Sequence, residues 1–187
     1  MTALTQTQGS FPLTGTGRLP NATVAFPGEV WSNQRANGII IPGAAVAPVN
    51  VGGKLCLKQL IVGDVPVKEQ VGIAFRQVEI PDINNGPSAL GPNEIVNQAI
   101  ADQDWLRRYM SGVFHITLCE PRADYVPAQK IGWAVAAARP VGKAAGTGAW
   151  SNAGILAGTD IFEVFEYRRY GAGNEGILTV RFLRSNN

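Results

Sequence analysis

Charge is scarce in this chain. Only 16% of its 187 residues are Asp, Glu, Lys or Arg, against roughly a quarter in an ordinary soluble domain. The signs nearly balance, leaving a net charge of +2, so no strong field steers the chain toward nucleic acid or an anionic membrane. Histidine occurs once, as His115, and cysteine twice, as Cys56 and Cys119. The cysteines sit far apart, in the apolar runs "KLCLKQL" and "FHITLCE". That is neither a disulfide framework nor a metal-ligand spacing. Both read as buried free thiols of a chain that matures in a reducing compartment. Long hydrophobic runs are missing as well: none approaches the ~18–20 residues of a membrane helix. The first residues, "MTALTQTQGSFPLTG", lack the basic and apolar regions of a secretory signal, and none is expected. No internal repeat is present.

Glycine and proline are plentiful, 22 and 12 residues. Such punctuation favours short strands and turns over long helices. It settles the reading of "ANGIIIPGAAVAPVNVGGK", residues 36 to 54, among the most apolar stretches of the chain. Pro42, Pro48 and the glycines exclude a helix. Two short apolar strands around a Pro42-Gly43 turn, closing at Gly52-Gly53, fit instead, with Ile39 and Ile41 shared between the core and a partner. Upstream, residues 1–29 form a polar segment with isolated apolar anchors at Phe11, Leu13, Leu19, Val24 and Phe26. Spaced anchors on an extended chain suggest a strap laid on another surface. About 29 residues could reach up to ~95 Å.

The remainder, residues 30–187, reads as one β-rich core domain. "KLCLKQLIV", "VPVKEQVGIAFRQVEI", "SGVFHITLCEP" and "KIGWAVAAARPVGK" are strand-like. The last two runs, "IFEVFEYRRY" and "GILTVRFLRS", flank the short loop "GAGNE" and predict a hairpin over 161–185. One helix is expected within 93–110: Asn93 can cap it, Ile95, Ala99, Leu106 and Met110 fall at helical spacing, Arg107 and Arg108 lie in its last turn, and Gly112 stops it. The predicted fold is all-β, a sandwich or barrel-like core with an extended N-terminal arm and one short helix.

No motif supports catalysis. Gly171-x-Gly173-x-x-Gly176 matches the dinucleotide-binding spacing, but a strand follows it where a helix is needed. "PVGKAAGTG" places Ala144 where a phosphate loop needs Ser or Thr. His115 and Cys119, four residues apart on one strand, are ~13 Å apart, too far for proton transfer. Asp102 and Asp104 do not face each other on a helix. No cofactor, no metal and no enzyme activity are therefore expected. Tyr167, Arg169 and Tyr170, in the C-terminal run of aromatic and basic residues, could stack on bases. Glu163, Glu166 and Glu175 dilute the charge, and Arg and Tyr are enriched at protein interfaces, so a protein partner is favoured over nucleic acid.

The order of parts resembles the small head decoration, or cement, proteins of tailed bacteriophages. Four segments carry the resemblance. "ATVAFPGEVWSNQRANG" (22 to 38) is similar to the family's opening segment. "IIIPGAAV" with "VNVGGKLCL" (39 to 57) is similar to its strand pair, "VPVKEQVGIAF" (65 to 75) and "YVPAQKIGWAVAA" (125 to 137) to its strands, and "SGVFHITLCEPRADYVPAQKIGWAV" (111 to 135) to a strand leading into a small-residue turn. The resemblance implies a virion protein made in the host cytoplasm. It would bind the exterior of the assembled head, contact the major capsid protein, and oligomerise, with a trimer favoured. Other phage structural roles, at the neck or tail, stay open. So does a carbohydrate-binding β module using Trp31, Trp105, Trp133 and Trp150 as stacking platforms.

Overall fold

The structure is a computed structural model, and it describes residues 21–61, 63–77, 99–120, 125–133, 150–151, 161–169 and 176–182. These residues are nearly all β, in two layers. One layer is a closed five-stranded barrel in the order β2-β4-β3-β5-β6, made of Val30–Ala36, Lys54–Gln59, Ala45–Val51, Gly72–Arg76 and Trp105–Tyr109. The other is a six-stranded sheet in the order β1-β7-β11-β10-β8-β9, made of Ala22–Pro27, Gly112–Ile116, Gly176–Phe182, Phe162–Arg169, Lys130–Trp133 and Trp150–Ser151. The strand pairs are antiparallel except β2 with β4.

The barrel is too narrow for anything but side chains, as expected of so few strands. Ala36, Ile40, Val46, Leu57, Ala74, Ile100 and Leu106 fill it. The mixture of alanine with Leu and Ile fits a tapering interior. One end is plugged where Ile40 and Ile100 exchange backbone hydrogen bonds of 3.0 and 2.8 Å.

The barrel's outer wall packs on the sheet. Ala45, Ala47, Leu60, Val71 and Ile73 meet Phe114, Ile116, Ile131, Phe162, Val164, Leu178 and Val180 in a second, larger core. Phe162 is its hub, with ring centroids 4.3 Å from Trp150 and 4.8 Å from Phe182. Polar groups latch the layers together: the Trp150 indole Nε1 donates to the Gly43 carbonyl at 3.0 Å, and Asn21 Nδ2 donates to the Pro42 carbonyl at 3.0 Å. Gly43 must be glycine here, because its φ is 83° and a Cβ would lie 3.0 Å from Asn21 Cβ.

The all-β expectation holds, and a barrel and a sheet occur together. The C-terminal hairpin is β10 against β11, with a bulge between Val164 and Glu166. Three expectations need correction. The strand expected before the Pro42-Gly43 turn is absent: Ile40 forms only an isolated bridge with Ile100, and strand begins after the turn, at Ala45. The helix predicted within 93–110 is absent over its described part. Residues 102–103 form a turn and Trp105–Tyr109 is strand β6, while 93–98 lie outside the described residues. Leu106 and Arg108 face inward and Trp105 and Arg107 outward, a period of two that the helical count of Ile95, Ala99, Leu106 and Met110 concealed. The only helical segment among the described residues is the 3-10 turn Lys68–Gln70. The arm was expected to run to residue 29, but Ala22–Pro27 is strand β1, paired with β7 at the sheet's edge. Val24 opposite Phe114 and Ala22 opposite Ile116 tie it to the core.

Candidate functional site

The residues expected to bind a partner separate on folding. Phe26 and Ile39 stand out into solvent, 73% and 71% exposed. Arg169 is exposed at the end of β10. Val24, Ile41 and Tyr167 instead pack against the protein's own core, with the Tyr167 ring 4.8 Å from that of Tyr125. Phe11, Leu13, Leu19 and Tyr170 lie outside the described residues. So do the glycine loop around Lys143 and two of the three glycines of the dinucleotide-like motif, whose third, Gly176, opens strand β11.

Most exposed large apolar residues belong to the barrel and its loops: Val30, Trp31, Ile39, Val51, Leu55, Ile61, Val65, Val67 and Trp105. The two exposed tryptophans are paired across strands β2 and β6. Trp105 lies opposite Arg35, whose guanidinium is 4.1 Å from the ring centroid, on the outer wall. Trp31 lies opposite Arg108, whose guanidinium is 5.4 Å from the ring centroid. Trp133 and Trp150 are fully buried, so two of the four candidate stacking platforms serve the core.

The Trp31–Arg108 pair sits at the barrel end away from the Ile40–Ile100 plug. Arg108 points inward with Leu106. Its stem crosses Gly72, where a Cβ would come within 2.5 Å of Arg108 Cγ. Glycine at 72 therefore makes room for the arginine stem. Arg108 is 4% exposed; its Nη1 donates to the Gln70 carbonyl at 2.9 Å, and its Nε is buried with no acceptor. Burial pushes the pKa of this guanidinium down.

Gln34 is 8% exposed, and its Oε1 is buried with no donor. It faces Leu106 across the ladder, diagonal to Arg108. Trp31 and Gln34 would ordinarily point to opposite faces of a strand. A bulge puts them on one face: three steps along β2 match two along β6, and Asn33, at φ 56°, is the extra residue. The side-chain oxygen of Glu29 accepts the Trp31 Nε1 hydrogen at 2.7 Å and steadies the indole. One step before the Arg35–Cys56 rung, Leu55 comes level with Gln34, and it is 58% exposed at the rim.

The residues singled out for chemistry have structural roles here. His115 is half-buried on the sheet's outer face, its Nδ1 3.0 Å from Thr179 Oγ1. Burial, chiefly, and the Arg168 charge push its pKa down, opposed by Glu166. Cys56 and Cys119 are buried and not joined in a disulfide, and the Cys119 thiol donates to the Ile116 carbonyl at 3.9 Å. Asp102 Oδ1 accepts the Gly38 N–H at 2.7 Å in the turn before β6. Among the described residues no group of three or more His, Cys, Asp or Glu side chains is placed to hold a metal ion, and no helix is long and apolar enough to cross a membrane.

No protein-family model matches the chain, and neither the curated proteins nor the solved structures hold a match to it.

Proposed function

We propose that this protein is a structural component of a phage virion, one that binds the outer surface of the assembled head and stabilises contacts between capsid subunits. The observation that carries the reading is the distribution of exposed apolar side chains. They concentrate on the barrel and on the neighbouring edge strand β1, where Phe26 projects. The far face of the six-stranded sheet carries charged rungs such as Lys130–Glu163–Arg181, with Phe165 exposed beneath the Arg181 guanidinium. A protein that clamps neighbours needs weak contacts repeated many times rather than a reaction centre. An edge strand beside an exposed aromatic offers backbone groups to a partner's sheet. The resemblance to head decoration proteins runs from residue 22 to about 160, and its segments from 22 to 57 fall on this same region, from β1 through β4. The major capsid protein is the partner in this reading, the protein oligomerises, and a trimer suits sites of threefold symmetry on a head.

The test is co-sedimentation of the full chain with expanded empty heads, alongside its mass in solution. Saturable binding supports the reading. A monomer that ignores heads overturns it. The role of the N-terminal strap is tested by deleting residues 2–20, which spares strand β1; unchanged affinity removes it. Particles in which an attached label appears at the neck or tail would move the protein to a connector or tail role.

A further inference from the structure

Among the described residues, no negative charge pairs with the positive charge at the mouth of the barrel. Among the described residues the ion pairs are Lys58–Asp64, Arg168–Glu166 and Arg181–Glu163, all at the surface. Arg108 has instead one backbone carbonyl, one tryptophan face and an unused Nε–H. Buried guanidinium groups are ordinarily paired with carboxylates, because desolvating the charge is otherwise uncompensated. Beside it, the Gln34 amide keeps one end unused. A half-turn of that amide, which leaves its shape unchanged, presents an N–H in place of the oxygen. Gln34 and Arg108, on neighbouring rungs of the β2–β6 ladder, would then both present donors at the Trp31 end of the barrel.

The geometry points to a carboxylate receptor at this mouth: an Asp or Glu side chain of a neighbouring protein chain enters beneath Trp31 and is held by Arg108 and Gln34. The rim fits such a guest. Leu55 and Trp31 are exposed and apolar, so they exclude water from the pair and cover the stem of the incoming residue. Trp31 is the part that must yield, and only its hydrogen bond to Glu29, exposed to solvent, ties its indole nitrogen. The side-chain oxygen of Glu29, a carboxylate beside Trp31, accepts the indole hydrogen. A guanidinium gripped from one side by a carbonyl still offers its Nε edge, the geometry in which Arg binds carboxylates with direction as well as charge.

The receptor is tested on the full chain labelled with ¹⁵N. The arginine Nε–Hε resonance of Arg108 is assigned by its loss in Arg108→Met. The probes are the capped peptides Ac-Gly-Glu-Gly-NH2 and Ac-Gly-Gln-Gly-NH2. The expected result is a saturable shift of the Arg108 resonance with the Glu peptide and binding at least about tenfold weaker with the Gln peptide. Gln34→Leu should weaken the Glu peptide several-fold while Trp31→Phe retains binding. The inference is overturned if the resonance does not move, if the two peptides act alike, or if sodium chloride at matched ionic strength gives the same shift. Far-ultraviolet circular dichroism of each variant separates loss of binding from loss of fold. The outcome is independent of the virion reading: heads can bind through β1 with this mouth inert, and peptides can bind here in a protein that ignores heads.

Discussion

Replacing Arg108 by methionine should make the protein more stable, the reverse of what most buried substitutions do. Arg108 is 4% exposed and has no carboxylate partner in any ion pair among the described residues. Burying a charged group of this kind costs several kcal/mol even after relaxation, and the unsatisfied Nε–H adds about 1–3 kcal/mol. Against this stand one charge-assisted hydrogen bond to Gln70, about 1.5–3 kcal/mol, and a stacking contact with Trp31 of about 0.5–2 kcal/mol. Methionine has an unbranched stem that can cross Gly72 as arginine does, and Gln70 is exposed, so water can take its carbonyl. The net expectation is a gain of about 1–2 kcal/mol. For a chain of 187 residues that corresponds to a rise in Tm of about 2–8 °C. Urea titration with an unchanged slope, paired with calorimetry, measures it. A loss of stability greater than about 1 kcal/mol would refute the reasoning, since Arg108 would then have a native partner that balances its charge. The same result would remove the basis for the carboxylate receptor, which treats the unbalanced charge as stability given up for binding.

Trp150→Phe should cost about 3–4 kcal/mol, because it leaves the Gly43 carbonyl without its donor and opens a gap beside Phe162; chemical denaturation reads the loss. Gly72→Ala should cost about 2–3 kcal/mol or more, since its Cβ would lie 2.6 Å from the Tyr109 carbonyl oxygen and force β5 from β6; amide hydrogen exchange in those strands should accelerate. Phe26→Ser should shift stability by no more than about 0.5 kcal/mol, the side chain being exposed, while weakening co-sedimentation with heads; retained binding would remove Phe26 from the interface. His115 is held below the ordinary imidazole value of 6.5, chiefly by burial. The unfolded chain therefore takes up the proton first. The contribution of neutral His115 is complete above pH 6.5 and declines as the pH falls from there through the lower folded value. His115→Asn should flatten that part of the stability profile, and an unaltered slope between pH 7 and 5 would assign the titration to other groups.

Which parts of the molecule were legible in the chain follows from the range of the forces involved. Strands β7, β10 and β11 and the Gly52-Gly53 turn follow from local rules: apolar and β-branched runs bounded by glycine, and two glycines at φ 57° and 80° that close the β3–β4 hairpin. The exclusion of a membrane helix from 36 to 54 was equally local, a matter of prolines and glycines. Trp105–Tyr109 misled because "ADQDWLRRYM" has charged residues where a helix's last turn would place them, and Leu106 and Met110 four apart. A strand with one inward arginine breaks the simple alternation of apolar and polar. Of the candidate site only Trp31 was singled out in the sequence, as a stacking platform, and its partners were not legible. The site's three side chains, Trp31, Gln34 and Arg108, come from strands remote in sequence, and a bulge at Asn33 aligns two of them against the ordinary period.

The sequence by itself determined that this protein is built of short strands and turns, and that its cysteines are apolar core residues. Each of these depends on neighbouring residues, on backbone freedom and on side-chain chemistry that travels with the letter. Only the tertiary structure decided that five strands close into a barrel, that β1 belongs to the sheet rather than to a free arm, and that Arg108 is enclosed with a hydrogen left over. Closure and burial depend on strands far apart along the chain meeting in one register, and a one-residue slip in that register reverses which side chains face inward.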